Sequence, residues 1–106
     1  FANATFDVGF NIASDFILQM RVQNLVPNQM IIEMSNGNNS IQLYYMESQF
    51  EDSDGGIGYI NLKTNNNSLT YSINSNYIPR MSLFDNIYAI WIKRVSNLYE
   101  IKIENQ

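Results

Sequence analysis

Apolar and polar residues alternate along most of the chain with a period of two, which is the period of a β-strand. The alternation is cleanest near the end, where Tyr99, Ile101 and Ile103 are separated by charged residues. Strands with one apolar and one polar face favour an antiparallel arrangement. The segments with this pattern are 5–10, 15–22, 29–34, 40–46, 57–64, 68–74, 87–95 and 98–104.

Turn signals separate these segments. Residues 35–40 read SNGNNS and contain Asn-Gly, the strongest cue for a two-residue hairpin. Residues 64–68 and 95–97 predict two more tight connections. Pro27 and Pro79 each stand where a strand is expected to end, because proline cannot donate a hydrogen bond to a sheet.

The strand faces also predict the core. Met20, Met30 and Met34 share the parity of the apolar residues and are expected to fill irregular gaps in the interior. Tyr71 and Tyr99 lie on apolar faces and are expected to join them. With 106 residues and neither a linker nor a repeat, the chain is predicted to be one domain. We predict an all-β fold, namely an antiparallel β-sandwich or jelly roll of about eight strands.

Charge and composition exclude several kinds of chemistry. The net charge is -4, and the six cations are scattered rather than aligned, which argues against nucleic acid as a partner. No apolar run approaches the roughly 20 residues of a membrane-spanning helix. The chain contains no Cys and no His, so disulfides, thiol nucleophiles, the usual zinc sites and imidazole catalysis are all excluded. We therefore predict a protein that is not an enzyme.

One acidic segment is a candidate metal site. Glu51, Asp52 and Asp54 precede a Gly-Gly pair, and Glu47 lies just before them. Calcium takes six to eight oxygen ligands, often several carboxylates from one loop. The spacing does not fit an EF-hand, and the alternative is an exposed turn kept in solution by its charges. A catalytic carboxylate pair is disfavoured because it needs two carboxylates held on rigid, opposing walls.

Three sequons make glycosylation possible, at Asn3, Asn38 and Asn66. They occur in a chain with 16 asparagines, so chance occurrence is the alternative. Because the chain begins with Phe1 rather than Met, we expect it to be a processed or excised piece. If the sequons are used, the protein is secreted, as an extracellular glycoprotein.

Aromatic and amide residues supply the ingredients of a carbohydrate site. Sugars stack their C–H surface on an aromatic face, beside amides and carboxylates that bond the hydroxyls. Trp91 is the single tryptophan and shares strand parity with outward-facing positions. The candidate ligand-binding residues are Trp91, Tyr44, Tyr59, Asn36 and Asn38. The alternative for Trp91 is a side chain that merely covers the flank of a sheet.

The order of strands resembles the domain family labelled farnesoic acid O-methyltransferase-like. The matching positions are Phe6, Val8, Asp15 and Leu18 in FDVGFNIASDFILQM, and Trp91 and Ile92 in YAIWIKRVSNLYEIKIE. The segment MIIEMSNGNNSIQLYYM is similar to the family's Asn-rich hairpin. The resemblance implies an extracellular-type β-domain of a kind often found beside lectin modules. The methyl transfer in the family's name is not supported, because the chain lacks a glycine-rich strand-to-helix turn and a βα repeat.

These observations lead to two functional expectations. The first is a lectin-like binding module that recognises a carbohydrate, with calcium as a possible cofactor. The second is a structural subunit of an extracellular matrix, coat or filament, whose partners are copies of itself in a homo-oligomer. Few of the predicted strands carry the inward charge or proline that normally prevents edge-to-edge pairing, and this favours the second.

Overall fold

A computed structural model describes residues 14–47, 57–66, 69–79 and 87–105. These residues form strands in two antiparallel sheets and contain no helix, which confirms the predicted all-β, antiparallel class. The strands are β1 Phe16–Val22, β2 Gln29–Asn36, β3 Asn39–Glu47, β4 Ile57–Asn66, β5 Leu69–Asn74, β6 Ile78–Pro79, β7 Tyr88–Val95 and β8 Leu98–Asn105. The predicted strand at 5–10 lies outside the described residues.

The strands divide between a three-stranded sheet and a second, larger one. The three-stranded sheet has the order β1-β7-β8, so the first described strand pairs with one from near the other end of the chain, from Phe16 opposite Arg94 to Val22 opposite Tyr88. The second sheet has the order β2-β3-β4-β5, and β6 pairs with the start of β4. The chain passes from the first sheet to the second after β1 and returns before β7.

One face of each sheet contributes to a single hydrophobic cluster, which gives the molecule a sandwich-like core. The second sheet supplies Met34, Ile41, Leu43, Tyr45, Ile60 and Leu62, and the three-stranded sheet supplies Tyr88, Ile90 and Ile92. Met20 and Tyr99 pack against this cluster as partly buried side chains. The predicted core positions of Met20, Met34 and Tyr99 are therefore confirmed.

The predicted core position of Met30 is wrong. The register places Met30 opposite Tyr44 but Ile32 opposite Leu43, so Ile31 is an extra residue in β2. Such a β-bulge reverses the facing of residues on one side of it relative to the other. Met30 is consequently 41% exposed, while Ile31 and Ile32 both pack against the core.

One further expectation about the core, that for Tyr71, is corrected. Tyr71 is 47% exposed, because β5 is the last strand of its sheet on the path β2-β3-β4-β5. Its ring still meets that of Tyr99 in the other sheet, at a centroid distance of 6.3 Å. Pro79 is the last residue of β6, in agreement with the expectation that a strand ends at this proline. Proline is tolerated there because it stands at the end of a strand of only two residues.

Two of the predicted hairpins are confirmed. Between β2 and β3, Gly37 has φ +60° and is the first residue of a two-residue turn. Between β7 and β8, Ser96 and Asn97 have φ 51° and 68°, and two consecutive positive φ values are the signature of a type I′ turn. The third, at 64–68, joins β4 to β5, but its residues 67 and 68 lie outside the described ranges.

Candidate functional site

The outward side of the three-stranded sheet forms a regular grid with Trp91 at its centre. Cross-strand register defines three rows, one residue from each strand, and alternate residues along a strand share a face. The rows are Ile17–Lys93–Glu100, Gln19–Trp91–Lys102 and Arg21–Ala89–Glu104. We call these nine residues the Trp91 face.

The facing of Trp91 follows from its position in β7. Its neighbours Ile90 and Ile92 are fully buried in the core, so Trp91 must point the other way. This confirms the outward parity predicted for Trp91. Because β7 is the central strand, the ring has a neighbouring strand on each side and is half-buried rather than free.

One neighbour interacts with the indole directly. The Lys102 Nζ atom lies 5.6 Å from the Trp91 ring centroid, within the range of a cation–π interaction. Lys102 is also the direct cross-strand partner of Trp91. Part of the indole is therefore in contact with an ammonium group that a ligand would meet beside the ring.

A shallow depression lies over two of the three rows. It is lined by Ile17, Trp91, Lys93, Glu100 and Lys102 and has a volume of about 180 Å³. Pockets for drug-sized ligands start at roughly 300 Å³, so this is an open platform rather than a closed cavity. The third row contributes no lining, and its Ala89 is 0% exposed although it has outward parity.

The chemistry of the platform is amphipathic. Trp91 and Ile17, which is 70% exposed, offer apolar surface. Lys93 and Lys102 offer hydrogen-bond donors, and the Glu100 carboxylate offers an acceptor. A ligand with a C–H face and several hydroxyl groups could use all three kinds of surface at once.

The structure separates the other predicted aromatic residues from Trp91. Tyr44 and Tyr59 alternate with the buried Tyr45 and Ile60, so both lie on the outward side of the second sheet, across the core from Trp91. The predicted ligand-binding set is therefore divided between two opposite faces. The sequence alternation could not reveal this division. It distinguishes the two sides of a strand but does not say which sheet the strand joins.

Both tyrosines have close partners on their own face. Lys63 Nζ lies 4.9 Å from the Tyr44 ring centroid, and the Tyr44 hydroxyl donates to Gln42 Oε1 at 3.2 Å. The Tyr59 ring meets Tyr77 edge-on at a centroid distance of 5.8 Å.

An amide ladder crosses the same face and was not predicted. Asn61 Nδ2 donates to Ser72 Oγ at 2.9 Å and to Asn74 Oδ1 at 2.7 Å. Thr70 Oγ1 donates to Asn65 Oδ1 at 2.8 Å. The signal in the sequence was the matching outward parity of the asparagines in β4. These amides already bond between strands, which leaves them less capacity for a ligand.

The two turn asparagines lie on the β2–β3 hairpin of the second sheet. Asn36 is the last residue of β2 and pairs with Asn39 in the register, and Asn38 is exposed in the turn itself. Neither belongs to the Trp91 face. Asn38 also carries a sequon, whereas Asn3 lies outside the described residues and Asn66 ends β4.

The candidate calcium ligands Glu51, Asp52 and Asp54 lie outside the described residues. Within the residues that are described, no three acidic side chains come together in a way that could hold a metal ion. Glu47, which lies just before the acidic segment, accepts a hydrogen bond from the buried Tyr45 hydroxyl at 2.9 Å. In the described ranges, no helix has the length and apolar character needed to cross a membrane.

Comparison with protein-family models, with curated proteins and with solved structures finds no match to this chain.

Proposed function

We propose that this protein is a non-enzymatic, extracellular, lectin-like module that binds a carbohydrate on the Trp91 face. The observation that supports the proposal is the position of the single tryptophan. It lies at the centre of an outward grid, beside an apolar side chain, two ammonium groups and a carboxylate.

The physical reasoning concerns the shape and polarity of a sugar. A pyranose ring presents a patch of C–H groups that packs on an aromatic face, while its hydroxyls both donate and accept hydrogen bonds. A β-sheet holds its outward side chains at fixed spacings, so such a platform needs little ordering on binding. We place the platform on an antiparallel β-sandwich or jelly roll of about eight strands, in keeping with the resemblance to the farnesoic acid O-methyltransferase-like family.

Intrinsic fluorescence tests this proposal directly, because Trp91 is the only tryptophan in the chain. A glycan array would first supply candidate oligosaccharides. Titration of the purified protein with an oligosaccharide that binds should then shift or quench the Trp91 emission in a saturable way. Binding to the array without any change in Trp91 emission would contradict the assignment of the site.

Variants on the two faces provide the matched comparison, read by calorimetry because one of them lacks the fluorophore. Trp91→Ala should abolish binding, since stacking on an aromatic residue is lost, and Trp91→Phe should retain part of it. Tyr44→Ala and Tyr59→Ala remove aromatic side chains from the opposite face and should leave the affinity unchanged. Equal losses from Trp91→Ala and Tyr44→Ala would contradict the proposal.

A second candidate, self-assembly, is favoured by the strands at the edges of the three-stranded sheet. The inward positions of β1 and β8 are mostly apolar and carry neither the charge nor the proline that discourages edge pairing. The apolar residues are Phe16, Leu18, Met20, Val22, Tyr99, Ile101 and Ile103. Leu98 at the start of β8 is 71% exposed. We rank this candidate second because the outward side of β8 is charged at Glu100, Lys102 and Glu104.

Sedimentation velocity separates the two candidates. A lectin-like module should sediment as a small species whose size does not grow with concentration. An assembly subunit should form large particles, and Leu98→Lys should shrink them. Large particles would favour assembly if Trp91→Ala leaves their size unchanged and the protein binds no glycan.

A further inference from the structure

The Trp91 face has a net positive charge although the protein as a whole is negative. Its two carboxylates, Glu100 and Glu104, are outnumbered by three cationic side chains. The chain has a net charge of -4, yet three of the five cationic side chains in the described residues, Arg21, Lys93 and Lys102, lie on this face. The remaining two are Lys63 on the opposite face and the buried Arg94.

Neither lysine beside the depression forms an ion pair within 4.0 Å with its carboxylate. Lys93 and Glu100 are cross-strand partners, and Lys102 lies two residues along β8 from Glu100. Among the described residues, the ion pair within 4.0 Å that involves a β7 or β8 side chain is that of Arg94 with Asp15, on the inward side. Lys93 and Lys102 therefore make no such ion pair among the described residues, although the Lys102 ammonium group lies over the Trp91 ring, where a ligand would meet it.

We propose that the carbohydrate bound on the Trp91 face is an acidic glycan, one whose sugars carry carboxylate groups. This inference rests on the proposed function and specifies its ligand class. The sugar ring packs on Trp91, the ligand carboxylate lies between Lys93 and Lys102, and Glu100 accepts a hydrogen bond from a sugar hydroxyl.

The arrangement discriminates between ligand charges. Two ammonium groups flank the single tryptophan, so an amino sugar would bring a third positive charge to the same place and be repelled. A neutral sugar would leave both lysines without an anionic partner. Glu100 reduces the positive potential of the depression without cancelling it, since it is one carboxylate against two ammonium groups.

The probe is an oligogalacturonate together with the same oligosaccharide after methyl esterification. Esterification removes the negative charges and keeps the sugar rings, the linkages and the hydroxyls. A second pair, sialyllactose and lactose, checks a carboxylate in a different sugar context. Binding is followed by Trp91 emission at low and at high salt, and by calorimetry for Trp91→Ala, which lacks the fluorophore.

The acidic member of at least one pair should bind more tightly than its neutral partner, and the difference should shrink at high salt because exposed charges are screened. Lys93→Gln and Lys102→Gln should each weaken binding of the acidic member about two- to fivefold, the range typical of one exposed ion pair.

Lys63→Gln is the matched control. Lys63 also lies over an aromatic ring, that of Tyr44, and its substitution changes the net charge by the same amount. It lies on the opposite face, so it should leave affinity for the acidic probe unchanged. An equal loss from Lys63→Gln and Lys102→Gln would show a general charge effect and overturn the inference.

Two other outcomes distinguish the inference from the function on which it rests. Equal affinity for the acidic and neutral members, abolished in both by Trp91→Ala, would overturn the acidic ligand and leave the lectin-like function standing. Absence of binding to every glycan of the array, acidic or neutral, would overturn both.

Discussion

The Asp15 Oδ1 atom accepts a hydrogen bond of 2.9 Å from the backbone N–H of Ser96, 81 positions further along the chain. The same oxygen lies 3.7 Å from Nη1 of Arg94, which points inward and is buried. Arg94 Nη2 in turn donates to Asn97 Oδ1. One carboxylate thus ties the entry of β1 to the turn between β7 and β8, beside the face proposed to bind ligand.

Removing this carboxylate should destabilise the fold. Asp15→Ala leaves the Ser96 amide and the Arg94 guanidinium without their acceptor, and we expect a loss of about 1–2 kcal/mol, because Asp15 is itself well exposed. Urea denaturation measures it. Asp15→Asn keeps an acceptor for Ser96 and should lie between wild type and Asp15→Ala. A midpoint for Asp15→Ala equal to wild type would contradict this role.

Gly58 should not tolerate a side chain. A Cβ added there would lie 2.7 Å from the Tyr45 hydroxyl oxygen and 2.8 Å from its Cε1 atom. Because Tyr45 is fully buried, its ring has little room to move, and Gly58→Ala should cost about 1–3 kcal/mol. Thermal unfolding measures the loss. The double variant with Tyr45→Phe should lose less stability than the sum of the two single losses. Strict additivity would argue against a direct clash.

The bulge at Ile31 predicts opposite behaviour for two methionines of β2. Met30→Gln should change stability by less than about 0.5 kcal/mol, as is usual for surface positions. Met34→Gln buries an amide in the core and should cost about 2–3 kcal/mol. Chemical denaturation measures the stability of both variants, and each serves as the control for the other because the substitution is the same. Equal losses would mean that Met30 is buried after all.

Asn38 should carry a glycan when the chain is made in a secretory pathway. It is exposed in the β2–β3 turn, and Ser40 completes its sequon. Asn38→Gln should lower the mass by one glycan, and Ser40→Ala should do the same without changing the asparagine. Intact mass before and after glycosidase treatment measures this. Masses before treatment that differ only by the substituted side chains would show that the site is not used.

Glycan binding on the Trp91 face should not depend on calcium. The depression offers one carboxylate, from Glu100, whereas calcium takes six to eight oxygen ligands. Affinity measured with calcium and with a chelator should agree. A loss in chelator would instead assign a ligand-binding role to the acidic segment that contains Glu51, Asp52 and Asp54.

The sequence by itself determined the local features of this protein. Period-two alternation identified the described strands except the two-residue β6, and it placed Trp91 outward and Ile90 and Ile92 inward. Turn chemistry located the hairpins at Gly37 and at Ser96–Asn97. These features follow from short stretches of backbone, whose two faces and favoured turns depend on neighbouring residues alone.

Only the tertiary structure decided which faces meet. Pairing of β1 with β7 built the grid around Trp91, and it placed Tyr44 and Tyr59 on the far side of the core. One extra residue in β2 turned Met30 outward. The reason is that alternation is satisfied equally well by any choice of partner strand, while partner and register are selected by the packing of the whole core. The candidate site depends on that choice, since a platform is made by neighbouring strands.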